Sequence, residues 1–134
     1  MSTSEKEMTF GEAIKEAISE ELRRDPNVFV MGEDVGPAGT VFKVLTGLYD
    51  EFGSERIIDT PIAEAGIMGL GVGAALTGMR PIVDIMFGAF MTLAMDQVVN
   101  QAAKLCYMSG GQASVPITIR TTIGAGRSSA AQHS

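Results

Sequence analysis

The chain has 134 residues, a formal charge of −6, 46% hydrophobic residues and 19% charged ones. That is enough for one sizeable core, too apolar for a disordered chain, and too acidic to attract the phosphates of a nucleic acid. A single cysteine, Cys106, excludes an internal disulfide, and its place in a helical pattern predicts a buried, inert thiol.

The polar start, Met1 to Met8, has no apolar signal-peptide core. Thr9 followed by Glu12 is a capping box, and it opens the first predicted helix. Phe10, Ala13, Ile14, Ala17, Ile18 and Leu22 fall on one apolar stripe of that helix, which Asp25-Pro26-Asn27 ends. Val28 to Met31 is a short continuous apolar run, as in a strand covered on both faces. Gly32 to Thr40 reads as a loop, Val41 to Phe52 as a stretch of mixed helical character, and Arg56 to Asp59 as a second strand.

A glycine-rich helix is predicted from Ala63 to about Thr77, a third strand over Pro81 to Ile85, and a long helix over Thr92 to Tyr107. Pro116 to Arg120 is the fourth strand, and Thr121 to Ser134 a loop. The stretch Ile62 to Met79 is long, but its glycines with Glu64 and Thr77 make it too polar for a membrane span. The chain therefore reads as soluble and intracellular.

Short apolar strands alternating with helices predict an α/β fold of three layers, a parallel sheet between helices on both faces. Ligands of such sheets collect at the carboxyl ends of the strands. That rule nominates Gly32 to Asp34, Thr60 to Glu64, Met86 to Phe90 and Thr121 to His133. Because the sequence stops in a loop directly after its single histidine, residues 1–134 are expected to be a truncated piece of a longer protein.

Glu64 heads the glycine-rich helix. On its own it complements the helix dipole, worth under about 1 kcal/mol. Gly66, Gly69 and Gly73 behind it leave one face almost without side chains, at about 0.8–1.0 kcal/mol for each interior glycine. The compensating gain expected is close approach of another backbone, with the leading carboxylate held in a water-poor crevice. His133, in a loop of small residues, is either a surface residue or an acid/base group. Glu33-Asp34 is either solvated or near a ligand, and Met86, Phe87 and Phe90 read first as core. The glycine spacings match neither a dinucleotide fingerprint nor a Walker loop.

Four segments stand together in order: Val30-Met31-Gly32-Glu33-Asp34-Val35-Gly36, then Arg56-Ile57-Ile58-Asp59-Thr60-Pro61-Ile62-Ala63-Glu64-Ala65-Gly66, then Met95-Asp96-Gln97-Val98-Val99-Asn100-Gln101-Ala102-Ala103-Lys104, and finally Gly124-Ala125-Gly126 to Ala131-Gln132-His133-Ser134. From about Thr9 onward the chain resembles the β subunits of the thiamine-diphosphate-dependent decarboxylating components of pyruvate, branched-chain 2-oxo acid and acetoin dehydrogenase complexes.

The resemblance implies a transketolase-like pyrimidine-binding domain that holds the aminopyrimidine half of thiamine diphosphate. An α subunit would carry the diphosphate and magnesium, in an α2β2 assembly served by a lipoyl-bearing acyltransferase core. It implies that Glu64 hydrogen-bonds ring nitrogen N1′, that Ile62, Met86 and Phe90 lie near the ring, and that His133 meets the 2-oxo acid substrate or the lipoyl group. Glu33 corresponds to an acid near the cofactor channel. Gly88 stands where some pyruvate enzymes carry a bulky aromatic residue, a difference that bears on pocket size. The resemblance also implies a second, C-terminal domain, which residues 1–134 are expected to lack. The location implied is the cytoplasm, or the mitochondrial matrix in a eukaryote, although no transit peptide is visible. Against this stand an acetoin-cleaving enzyme, a nicotinamide dehydrogenase, and a non-catalytic module that only docks a partner.

Overall fold

The computed structural model describes residues 7–126 and 128–133. Helix α1, Phe10–Arg24, starts where the capping box places it. The Thr9 backbone N–H donates to Glu12 Oε2 at 2.7 Å, and the Glu12 N–H donates to Thr9 Oγ1 at 3.2 Å. Two donors that the helix leaves free are thus satisfied reciprocally. Strand β1, Val28–Gly32, follows after Asp25-Pro26-Asn27 and is buried along its whole length.

Helix α2, Leu48–Phe52, strand β2, Ile57–Asp59, and helix α3, Glu64–Leu76, come next. Strand β3, Arg80–Phe87, leads through a 3-10 turn, Gly88–Phe90, into helix α4, Met91–Asp96. A π-helical segment, Gln97–Ala102, helix α5, Leu105–Met108, and strand β4, Thr118–Thr122, complete the sheet elements. Ala131–His133 is a 3-10 turn.

The four strands lie in the order β2-β1-β3-β4, and every pair is parallel. Alternation along β1 divides the core in two. Val28 and Val30 join Ile18, Leu22, Val35, Leu45, Leu48 and Ile57 under α1 and α2. Phe29 and Met31 join Ile67, Met68, Val83, Ile85 and Ala94 under α3 and α4. The three-layer α/β arrangement expected from the sequence is the one formed. Each fully buried aliphatic residue contributes about 1.5–3 kcal/mol of transfer free energy, so these two layers carry the fold.

Arg56 ties the first turn of chain to the sheet. Its guanidinium donates to the carbonyls of Val28, Leu22 and Asp25 at 2.6, 2.8 and 3.0 Å. On the opposite face, Gly71 lets α3 lie close to the sheet, because a Cβ there would stand 2.7 Å from Val83 Cγ2. The close approach within this chain is therefore at Gly71. Gly66 and Gly73 are exposed, and Gly69 has only an ordinary contact with Gln97.

Other expectations are corrected. Val41 to Thr46 forms turns, and helix begins only at Leu48, after Gly47 at φ 88°. The long helix predicted over Thr92 to Tyr107 is interrupted by the π-helical segment, where Ala103 N–H donates to the carbonyl of Val98, five residues back. Cys106 is exposed, beside Tyr107 at 90% exposure. A helical stripe is buried only where a neighbour covers it, and α5 faces away from the sheet. Phe10 at the head of α1 is likewise exposed, because β4 is the edge strand and the groove beside it stays open. Among the described residues, no helix is long and apolar enough to cross a membrane.

A buried ion pair joins β3 to β4: Arg120 Nη1 donates to Asp84 Oδ2, and Asp84 is 4% exposed. Burial pushes the Asp84 carboxyl above its ordinary pKa, and the attraction of Arg120 only partly offsets it. Arg120→Met is expected to destabilise the protein by about 3–5 kcal/mol at pH 7, because an unpaired buried charge is left. Asp84's folded pKa is raised, so its charged form is what costs stability. The loss should therefore shrink as pH falls and Asp84 takes a proton, which urea unfolding at pH 7 and pH 4 measures.

Candidate functional site

All four strands run the same way, so their carboxyl ends share one rim. From β1 the chain crosses to β2 on one side and then returns past β1 to β3 on the other. This reversal opens a crevice between the ends of β1 and β3, the usual ligand position in such sheets. Glu33 leaves β1, Glu64 opens the helix after β2, the Gly88 turn leaves β3, and Ile123 leaves β4.

One half of the rim is acidic. Glu33 and Glu64 are both half-buried. The Glu33 carboxyl is pushed above the usual carboxylate range, first by burial and then by the negative charges of Asp34 and Glu64. Glu33 and Glu64, far apart in sequence, thus stand close enough at the strand ends for their charges to interact. Ala63, at the N-cap of α3, supplies no side-chain acceptor, so the positive end of the helix bears directly on Glu64. The Thr60 N–H donates to the carbonyl of Gly32 at 3.0 Å, linking the ends of β2 and β1. Thr60 Oγ1 is buried without a hydrogen-bond partner, a cost of about 1–3 kcal/mol that a polar group beside it would relieve. Ile62 stands 74% exposed two residues before Glu64.

The other half is aromatic, and a β-bulge builds it. Ile85 pairs with Thr121 and Phe87 with Thr122, so β3 spends two residues where β4 spends one. Met86, half-buried, is the residue spanned by this shift. Successive residues of β4 face opposite ways, so the bulge turns Phe87 to the face opposite Ile85. There it meets Phe42 edge-on, with ring centroids 5.5 Å apart. Phe90 packs on Phe87 at 5.5 Å, and the imidazole of His133 lies 4.9 Å from Phe87 and 5.6 Å from Phe90. Such edge-to-face pairs hold a ring in one orientation.

Phe42 arrives from a loop with an expensive backbone. Asp34, Thr40 and Lys43 have φ of 54°, 70° and 59°, and for β-branched Thr40 this is real strain. The loop is held by Gly36 N–H donating to Asp59 Oδ1 at 2.7 Å, Thr40 N–H to the Asp34 carbonyl at 2.7 Å, and Leu45 N–H to the Gly39 carbonyl at 3.0 Å.

Of the six residues singled out by sequence, the structure couples Glu33 with Glu64 and packs Phe90 on His133. Ile62 and Met86 lie on the same rim, in the segments leading to Glu64 and to Phe90. Phe42 was missed; Thr60, Phe87 and Ile123 lay in stretches nominated by the strand-end rule but were not singled out, and Phe87 was read first as core. The cue for Phe87 would have been the bulge, which has no signature in the side-chain pattern. The last resemblance segment includes Arg127 and Ser134, which lie outside the described residues. Among the described residues, no group of three or more His, Cys, Asp or Glu could hold a metal ion.

Comparison with known proteins agrees with this fold. Residues 6–134 match the family model for the transketolase pyrimidine binding domain. The chain is 52% identical over 127 residues to a pyruvate dehydrogenase E1 component subunit beta of Rhizobium meliloti (strain 1021), covering 95% of this chain and 28% of that protein. It is 48% identical to a 2-oxoisovalerate dehydrogenase subunit beta of Bacillus subtilis (strain 168), covering 95% and 39%. An acetoin:2,6-dichlorophenolindophenol oxidoreductase subunit beta of the same organism is 50% identical, covering 95% and 41%. The chain thus spans well under half the length of these relatives. Among solved structures, a split-gene transketolase described as an inactive beta4 tetramer shares the fold, with a TM-score of 0.60 and 22% identity over 81% of this chain and 32% of that one.

The acid pair makes a pH-dependent prediction. A carboxyl whose folded pKa is raised stabilises the fold only while protonated, and the charged form costs stability as pH rises through that pKa. Glu33→Gln should therefore raise the unfolding temperature at pH 7. The gain should vanish below the ordinary pKa of a glutamate, which thermal unfolding across pH 3 to 8 will record.

Proposed function

The chain belongs to the transketolase pyrimidine-binding domain family, and on that premise we propose that it is the ring-binding part of the β subunit of a thiamine-diphosphate-dependent 2-oxo acid dehydrogenase. The enzyme is of pyruvate or branched-chain type and works only when an α subunit completes it, as α2β2. It passes the acyl group to the lipoyl group of an acyltransferase core. The observation that carries the reading is a carboxylate, Glu64, at the head of α3, coupled to Glu33 in the crevice at the strand ends.

When bound, thiamine diphosphate supplies the nucleophilic carbon and the electron sink that decarboxylation requires. Glu64 holds and returns a proton at N1′ of the aminopyrimidine, the task of a positioned general acid–base group. Its half-buried setting limits competition from water. Glu33 adds negative potential at the same end of the crevice, which favours a protonated ring nitrogen. The unpartnered Thr60 hydroxyl and the exposed side chain of Ile62 fit a mixed polar and apolar ligand at this rim. Met86 and Phe90 offer apolar surface to the ring, and His133, braced by Phe87 and Phe90, faces the substrate. The diphosphate and magnesium belong to the α subunit.

The open side of α3 serves the assembly. Gly66 and Gly73 are exposed, Leu70 is 65% exposed, and a Cβ at Gly73 would meet nothing within 4 Å. A partner backbone can approach there, which compensates the helix for its interior glycines.

Acetoin cleavage is the alternative kept in view, because the acetoin-enzyme relative is about as similar as the 2-oxo acid ones. The test uses the full-length β chain co-expressed with its α partner. Glu64→Gln should lower 2-oxo acid decarboxylation by roughly 10²–10⁴-fold while assembly survives. An active Glu64→Gln enzyme contradicts the assignment, and turnover of acetoin but of no 2-oxo acid moves it to the alternative. Gly73→Leu should instead reduce the assembled fraction on size-exclusion chromatography, by overpacking the open face.

A further inference from the structure

Beside His133 lies a cavity of about 80 Å³, lined by Phe42, Phe87, Ile123, Gly124 and Ala125. Three separate parts of the chain make it: the strained loop that carries Phe42, the bulged end of β3, and the exit from β4. Its walls are of unequal rigidity. Phe42 and Phe87 lock each other edge-on, and Phe87 also supports Phe90 and His133. Neither ring can turn without disturbing the other.

Ile123 has no such lock, and what fixes its place is Gly88. A methyl group added at Gly88 would land on Ile123 Cγ2, so the isoleucine occupies the volume that a larger residue 88 would fill. Gly88 has no positive φ, so its backbone does not demand glycine. The missing side chain is there for space, and Ile123 takes that space. The outer side of Ile123 is 75% exposed, so shortening it enlarges the cavity without hollowing the core.

We infer that Ile123, seated over Gly88, is the specificity-determining residue of the acyl pocket and selects a short, unbranched 2-oxo acid over one branched at carbon 3. The inference rests on the function proposed above. The two aromatic walls brace each other, and the space over Gly88 is filled by a β-branched side chain. A branched acyl group must displace that side chain. A short one leaves it in place.

The test compares pyruvate with 3-methyl-2-oxobutanoate, using the full-length β chain assembled with its α partner and loaded with thiamine diphosphate and magnesium. Wild type should favour pyruvate in kcat/KM by roughly tenfold or more, and Ile123→Ala should shift that ratio toward the branched acid by a similar factor. Ile123→Val should shift it less, in the same direction. A wild type that prefers the branched acid overturns the inference, as does an active Ile123→Ala enzyme with an unchanged ratio. If Ile123→Ala is inactive with both acids, an unchanged ratio in Ile123→Val overturns it equally. Turnover of neither acid by wild-type enzyme that binds the cofactor overturns the proposed function and this inference with it. Normal pyruvate turnover with unshifted ratios removes the inference alone.

Discussion

The structure depends on β1 being paired along both edges and covered on both faces. Val28 to Gly32 contribute no exposed side chain, and their neighbours β2 and β3 both run parallel to them. Parallel neighbours cannot be joined by tight hairpins, so each connection must cross over the sheet. One crossover carries α2 and the other carries α3, and these supply much of the two apolar layers that make β1's burial favourable. The same geometry obliges the chain to reverse its direction of travel at β1. The crevice at the strand ends is thus a consequence of how the core is closed, and the acid pair stands in it because Glu33 and Glu64 begin the segments leaving β1 and entering α3.

Two local departures from regularity then shape the rim. The bulge in β3 changes the facing of Phe87, and so sets Phe87 against Phe42 and His133 rather than in the core under α3. The Thr40 and Lys43 conformations cost free energy and bring Phe42 to the same place. Core packing tolerates little irregularity. The irregularity here is concentrated at the rim, around the carboxyl ends of the strands.

Much of this fold was legible from local chemistry. The Thr9–Glu12 capping box fixed the start of α1, and the unbroken apolar run at Val28 marked a strand buried on both sides. Strand ends were less legible: β3 and β4 both continue two residues past the predicted ends, because the bulge keeps them paired. Pattern also failed wherever burial depends on a distant neighbour. Cys106 lies on a short helix turned away from the sheet, and Phe10 at the exposed end of a stripe whose Ile18 and Leu22 the sheet does cover. The glycine run of α3 was read as one smooth face; it has two sides, with Gly71 pressed on β3 and Gly66 and Gly73 open. At the site, the glycine spacing behind Glu64 already favoured a functional carboxylate, whereas His133 did not rise above a surface residue until family likeness singled it out. Phe42 gave no sequence signal, and Ile123 none beyond its place after a strand end, since their positions arise from a strained loop and from the space above Gly88.

The central claim is that this rim holds the pyrimidine end of thiamine diphosphate and that an α subunit completes the site. The most direct measurement is calorimetric titration of thiamine diphosphate with magnesium into the full-length β chain, the α chain and their assembly. Saturable binding by the assembly, weakened in Glu64→Gln and far weaker in either chain alone, is the result the account predicts. A well-formed assembly that binds no thiamine diphosphate would contradict it.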